Sequence, residues 1–141
     1  MCHKLLKYKN FMQTIHKREK GNIGEEIACM FLKKYGYTVV DRNYYKKWGE
    51  LDIVATKKNK CGSELHFFEV KSSTINSGIK SFRPEENVNG FKVKQLRKII
   101  QTYLVDKGYG LSHQFSFHVL CVFMNEKTRL ARVKWIKNVI L

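Results

Sequence analysis

Residues 49–73 read GELDIVATKKNKCGSELHFFEVKSS, and two strands joined by a turn account for nearly all of that stretch. GELDIVAT and ELHFFEVKS are rich in β-branched and aromatic residues, and the Lys-, Asn- and Gly-containing KKNKCGS between them is turn chemistry, so the two are expected to pair antiparallel. Both runs look bound for a core, yet both carry ionisable side chains: Glu50 and Asp52 on the first, Glu69 and Lys71 on the second. Strict alternation along a strand puts Glu50 and Asp52 on one face and Leu51 and Ile53 on the other. It also projects Glu69 and Lys71 together, ~6.6 Å apart along the strand. Removing such groups from water is expensive unless they are paired with each other or hold a metal.

Upstream, Asn22 is placed to cap a helix, with Glu25 three residues on as a capping-box partner. Ile23, Ile27, Met30 and Phe31 then recur at helical spacing until Gly36, and YTVVD (37–41) reads as a short strand. Downstream, Thr74 to Asn89 holds the only proline and few apolar residues, and is expected to be a long loop. Val93, Leu96, Ile100, Tyr103 and Leu104 mark a second amphipathic helix ending near Gly108. FSFHVLCVFM (115–124) and LARVKWI (130–136) read as strands. The order α-β-β-β-α-β-β describes one α/β domain over residues 21–141, with a mixed sheet flanked by helices. Residues 1–20 form a basic N-terminal arm, frayed or weakly helical, either a solvated tail or an arm that grips nucleic acid.

Lysine and arginine number 27 against 12 aspartate and glutamate, a net charge of +15 over 141 residues. Such an excess attracts polyanions. Nucleic acid is the leading partner, and without a long basic amphipathic helix no membrane association is expected. No run approaches the ~20 apolar residues of a membrane span, and the basic N-terminus lacks the apolar stretch and cleavage site of a signal peptide. The four cysteines, Cys2, Cys29, Cys61 and Cys121, are scattered without a C-x-x-C pair. That spacing argues against structural zinc and for a reducing, cytoplasmic setting, with Cys29 and Cys121 as packing residues.

Mg²⁺ prefers oxygen ligands and keeps several waters, so carboxylates from two neighbouring strands plus a substrate phosphate can complete its shell. Asp52 and Glu69 could supply those carboxylates, and Lys71 could orient or help deprotonate an attacking water. Glu69-x-Lys71 is the only acid-x-lysine triplet in the chain. The plainer alternative is an edge strand with Glu69 paired to Lys71 and Asp52 to a nearby lysine. Other residues carry similar pairs of readings. His118 and Cys121 are a metal pair or two core residues; Trp48 and Tyr44–Tyr45 stack on bases or pack at a strand entrance. Lys57, Lys58 and Lys60 form a solvated turn that could also touch phosphates.

GNIGEEIACMFLKKYGYTVVDRNY (21–44), WGELDIVA (48–55) and FFEVKSS (67–73) together resemble the PD-(D/E)XK nuclease superfamily, and more closely the YraN family of small bacterial endonucleases, akin to archaeal Holliday-junction resolvases. The resemblance runs from about Gly21 to Leu104. It implies a restriction-endonuclease-like fold and a Mg²⁺- or Mn²⁺-dependent endonuclease acting on DNA, with branched or flap structures as candidate substrates. RNA stays open as a substrate, and a resolvase-like homodimer follows by analogy. Carried over, it makes Asp52 and Glu69 the metal-binding acids, Lys71 the catalytic lysine, and Glu25 the helix glutamate that helps hold the metal or its water. Glu50, Lys92, Lys94 and Ser73 are then candidate nucleic-acid contacts. The chain departs from the family pattern at Ser73, where a basic residue is usual, at Phe117-His118, where an aspartate usually follows the aromatic, and over residues 77–89. The alternative reading is a catalytically silent nucleic-acid-binding module that keeps the nuclease fold.

Overall fold

The computed structural model describes residues 3–7, 20–74 and 90–141. Its elements are β1 (His3–Lys7), α1 (Lys20–Lys34), β2 (Thr38–Lys46), β3 (Gly49–Asn59), β4 (Gly62–Thr74), α2 (Gly90–Asp106), β5 (Phe115–Asn125) and β6 (Leu130–Ile136). They build a six-stranded sheet in the order β1-β6-β5-β4-β3-β2. β2, β3 and β4 are an antiparallel meander, as their short turns allow; β4 and β5 run parallel, so the chain must cross between them through α2. Ile27, Phe31 and Leu32 of α1 pack on one face against Ile53, Phe68, Leu120 and Val133. Leu96, Ile99, Ile100 and Tyr103 of α2 pack on the other, against Leu51, Val54, Phe67 and Cys121. The central strands are therefore buried on both sides, which is why β5 reads as a near-continuous apolar run.

The mixed sheet with two flanking helices matches the sequence expectation, and several local features differ. His3–Lys7 is neither frayed nor helical: it pairs antiparallel with β6, from His3↔Lys134 to Lys7↔Leu130, and so covers that sheet edge. α1 begins at Lys20, so Asn22 lies within its first turn rather than capping it. The β3–β4 hairpin turns over Lys60 and Cys61 alone, which draws Lys57 and Lys58 into β3. The expected loop of 74–89 falls, beyond Thr74, outside the described residues.

The largest departure is in register. Val39 of β2 opposes Ala55 and Asp41 opposes Val54, so Val40 is an extra residue, a β-bulge. Val39 packs on the α1 side; beyond the bulge Arg42 opposes Ile53, whose side chain also lies on the α1 side. Tyr44 opposes Leu51, and both pack on the α2 side. Alternation therefore breaks a second time, at Asn43 on β2 (φ 51°) and between Leu51 and Asp52 on β3. Asparagine tolerates this left-handed conformation better than most residues. Contrary to the alternation expected from sequence, Leu51 and Ile53 belong to opposite cores.

Two glycines let the helices close onto the sheet. A Cβ on Gly49 would sit 3.3 Å from Ile99 Cβ of α2. On Gly24 it would lie 2.5 Å from Ser72 Cβ and 2.8 Å from its Oγ, on β4. Alanine normally stabilises a helix interior over glycine by about 1 kcal/mol. Here Gly24→Ala is expected to destabilise the protein by about 2 kcal/mol, since the β4 backbone cannot yield as a flexible side chain would. Ser72→Gly in the same chain should restore most of the loss. Urea denaturation measures both, and an unchanged midpoint for Gly24→Ala would show that α1 does not sit this close to β4.

Candidate active site

Beyond the Ile53↔Phe68 pair, β3 has no ladder partner on β4, while β4 continues beside β5 to Thr74↔Met124. The strands part there, and Asp52 and Glu69 flank the gap. The Val70 N–H, which has lost its β3 partner, donates instead to Asp52 Oδ2 at 2.7 Å. Glu69 Oε1 accepts from two ammonium groups, Lys71 Nζ at 2.7 Å and Lys92 Nζ at 2.9 Å. The gap opens into a cavity of about 190 Å³ lined by Gly49, Glu50, Asp52, Glu69, Lys92 and Ile99, among others.

Burial, and then the nearby Glu69 carboxylate, push the Asp52 carboxyl up to about 7; Glu25 and Glu50 add to the push and the Val70 N–H opposes it. Burial alone would raise Glu69 too, but the hydrogen bonds from Lys71 and Lys92 outweigh it and hold that carboxyl below its ordinary value. Burial would likewise lower Lys71, yet the bond to Glu69 prevails and its ammonium is held above its ordinary value. Lys71 is thus protonated at neutral pH. Beside Glu69 it stands as a positive charge.

On α1, Glu25 Oε2 is buried without a hydrogen-bond partner and lies 3.7 Å from Arg42 Nη2. Arg42 Nη1 meets Glu26 Oε1 at 2.5 Å. Glu25 is therefore directed at Arg42 of β2. Of the other expected contacts, Glu50 is exposed on the cavity rim and Lys94 is exposed on α2; Ser73 is half-buried on β4, two residues beyond Lys71. Tyr44 packs edge-on against Tyr103 and donates its hydroxyl to Asp106, and Trp48 donates to Thr102 Oγ1 at 3.2 Å, so both are packing residues. Tyr45, 68% exposed and directly across from Glu50, is the member of that trio that faces solvent. His118 and Cys121 lie on opposite faces of β5 and share no site. Sequence reasoning missed Arg42 altogether, and named Lys92 only as a nucleic-acid contact when it also bonds Glu69. The polar trio Asp41-Arg42-Asn43 inside a strand was the available signal.

A sequence profile described as "Uncharacterised protein family UPF0102" matches residues 24–124. This chain belongs to that family. The UPF0102 match spans Glu25, Arg42, Asp52, Glu69, Lys71 and Lys92, and leaves β1 and β6 outside it. The chain is 34% identical over 129 residues to the UPF0102 protein of Caldanaerobacter subterraneus subsp. tengcongensis, covering 90% of this chain and 98% of that one. It is 37% identical over 125 residues to the UPF0102 protein of Desulforamulus reducens, covering 89% and 98%. With the UPF0102 protein of Helicobacter pylori the identity is 41% over 97 residues, covering 69% and 75%. No helix among the described residues is long and apolar enough to cross a membrane.

Proposed function

We propose that this UPF0102 protein is a Mg²⁺- or Mn²⁺-dependent endonuclease of the PD-(D/E)XK kind that hydrolyses DNA phosphodiester bonds, with branched or flap DNA as its substrate class. The observation that carries the reading is the meeting of Asp52, Glu69 and Lys71 where β3 and β4 part, beside an open cavity in a chain of net charge +15.

The residues fit a hard divalent cation. Their donors are carboxylate oxygens without sulfur or imidazole. Glu25 Oε2 is buried and unsatisfied, and Asp52 is burdened by neighbouring carboxylates that a cation would relieve. No three His, Cys, Asp or Glu side chains among the described residues close on one point that could hold an ion. A shell here would draw on Asp52 and Glu69 and be completed by water and substrate phosphate. When bound, the ion would supply polarisation of the phosphoryl oxygen and of the attacking water.

The chain's own groups do the rest. The Val70 N–H fixes Asp52. Lys71 and Lys92 bring positive charge to where the scissile phosphate gains negative charge. Lys94 and the other exposed lysines attract the backbone without reading sequence.

The test is incubation with linear, nicked, flap and four-way DNA in Mg²⁺, Mn²⁺ or EDTA. Ion-dependent cutting of the branched forms is expected, lost in Lys71→Ala with DNA binding retained. Cutting that persists in Lys71→Ala or in EDTA would overturn the assignment. Tight, salt-sensitive binding without cutting under either ion would instead favour the silent binding module, and cleavage confined to RNA would move the substrate class.

A further inference from the structure

Along α2, Lys92, Gln95, Leu96 and Ile99 recur at the spacing of one helix face, and all four line the cavity beside Asp52 and Glu69. Leu96 and Ile99 belong to the buried stripe that seats α2 on the sheet. At the head of that stripe, where an apolar side chain would extend the seat, stands a lysine. The position disfavours a cation in a second way. Lys92 is the third residue of α2, near the positive end of the helix dipole, and no acidic side chain in the first turn offsets it. The compensation comes from β4, where Glu69 Oε1 accepts the Lys92 ammonium at 2.9 Å.

That same oxygen already accepts Lys71 Nζ at 2.7 Å. One carboxylate charge therefore faces two ammonium groups, which attract it and repel each other. Lys71 shares β4 with Glu69 and does not line the cavity; Lys92 reaches over from a helix and does. Of the two, Lys92 can let go without disturbing the sheet, because its flexible stem springs from α2 and not from the strands around Glu69. A tether between α2 and β4 gives no reason to choose a carboxylate that Lys71 already neutralises.

We propose that Lys92 is an exchangeable counter-ion: its ammonium holds Glu69 Oε1, yields that oxygen to a divalent cation, and turns to the substrate phosphate that enters the same cavity. Ion and DNA then bind cooperatively, since a phosphate draws Lys92 off Glu69 and an ion at Glu69 releases Lys92 to the phosphate. The inference rests on the ion-binding reading of Asp52 and Glu69. A hydrogen bond to a charged group is worth about 10–100-fold in an equilibrium constant.

Isothermal titration calorimetry of Mn²⁺ into the full chain, without DNA, tests the exchange at Glu69. Lys92→Met keeps the length of the side chain and removes the ammonium. It should bind Mn²⁺ about 10-fold or more tighter than wild type. The gain should persist in about 0.5 M KCl, where forces between surface charges are screened. Lys98→Met removes a charge from an exposed position of the same helix and should bind Mn²⁺ like wild type. Four-way DNA bound in Ca²⁺ and in EDTA tests the turn to phosphate: Ca²⁺ should tighten wild type about 10-fold more than Lys92→Met. Thermal melts in EDTA establish that each variant folds; should Lys92→Met not fold, Lys92→Gln is read in its place. Unchanged or weaker Mn²⁺ binding in Lys92→Met, a gain that vanishes in KCl or is matched by Lys98→Met, or equal tightening by Ca²⁺ would overturn the assignment of Lys92 and leave the nuclease reading standing. No Mn²⁺ binding by either wild type or Lys92→Met would overturn both.

Discussion

Asp52→Asn is expected to melt at a higher temperature than wild type at pH 8 while cutting DNA about a thousand-fold more slowly. Both effects have one source. In the folded chain the Asp52 carboxyl holds its proton up to about pH 7, against an ordinary value of 3.8, because burial and the Glu69 carboxylate disfavour its charge. The folded state therefore binds that proton more tightly than the unfolded state does. Stability falls as pH rises through this window, and above it the full penalty remains, with an upper limit of about 4 kcal/mol. Asparagine carries no charge and can still accept the Val70 N–H through its amide oxygen. A rise of about 5 °C at pH 8, shrinking towards pH 5 where wild-type Asp52 is itself protonated, is the expected signature. Mg²⁺ should raise the melting temperature of wild type at pH 8 and leave the variant unmoved. Scanning calorimetry at the two pH values measures this. An Asp52→Asn variant that melts lower than wild type at pH 8 would mean that the acid cluster is a structural asset and not a site held at a cost to stability.

The second large effect is acid lability, on the opposite face of the sheet. His66 Nδ1 and His118 Nε2 lie 3.0 Å apart, and Asn138 N–H donates to His118 Nδ1 at 3.1 Å. Since a backbone N–H can only donate, His118 Nδ1 must be bare. Its proton then sits on Nε2 and points at His66 Nδ1, so the pair is satisfied only when both rings are neutral. Both are buried, stacked with Phe68. Burial, then His66 and Lys137, lower His118 from 6.5 to about 4. Burial lowers His66 as well. An unfolded chain takes up these protons at a higher pH than the folded one. The pair's contribution is therefore complete above about pH 6.5 and is lost as pH falls towards 4, by about 3 kcal/mol for His118 alone. His118→Asn sets an amide oxygen where Nδ1 was, keeps an acceptor for Asn138, and does not titrate. It should be less stable at pH 7, through lost ring contacts, yet show a much shallower decline between pH 6.5 and 4.5 in urea titrations. Parallel declines for the two proteins would place the lability elsewhere.

Much of this was legible in the residues. The two flanking helices announced themselves by apolar spacing, and the buried β5 by its unbroken apolar run. Asp52, Glu69 and Lys71 stood out because charge in such strands is costly. Alternation failed where the backbone departs from the period on which it depends. Neither the bulge at Val40 nor the left-handed Asn43 changes the polarity pattern, so nothing in residues 39–53 announced that Leu51 and Ile53 would part company, and the polar trio Asp41-Arg42-Asn43 marked Arg42 without telling which way it would turn. HKLLK at β1 has too few apolar residues to read as a strand, and it becomes one because β6 offers it an open ladder. The bond from Lys92 to Glu69 joins residues far apart in the chain and depends on where α2 lands.

The irregular course of β2 carries a further implication for how the molecule behaves in company. A sheet with a bare, straight margin invites a neighbour's strand to zip alongside it. One margin here is β1, only five residues long; the other is β2, where Val40 is an extra residue and Asn43 takes a left-handed conformation. The crookedness that delivers an arginine to α1 thus also spoils the template for sideways growth.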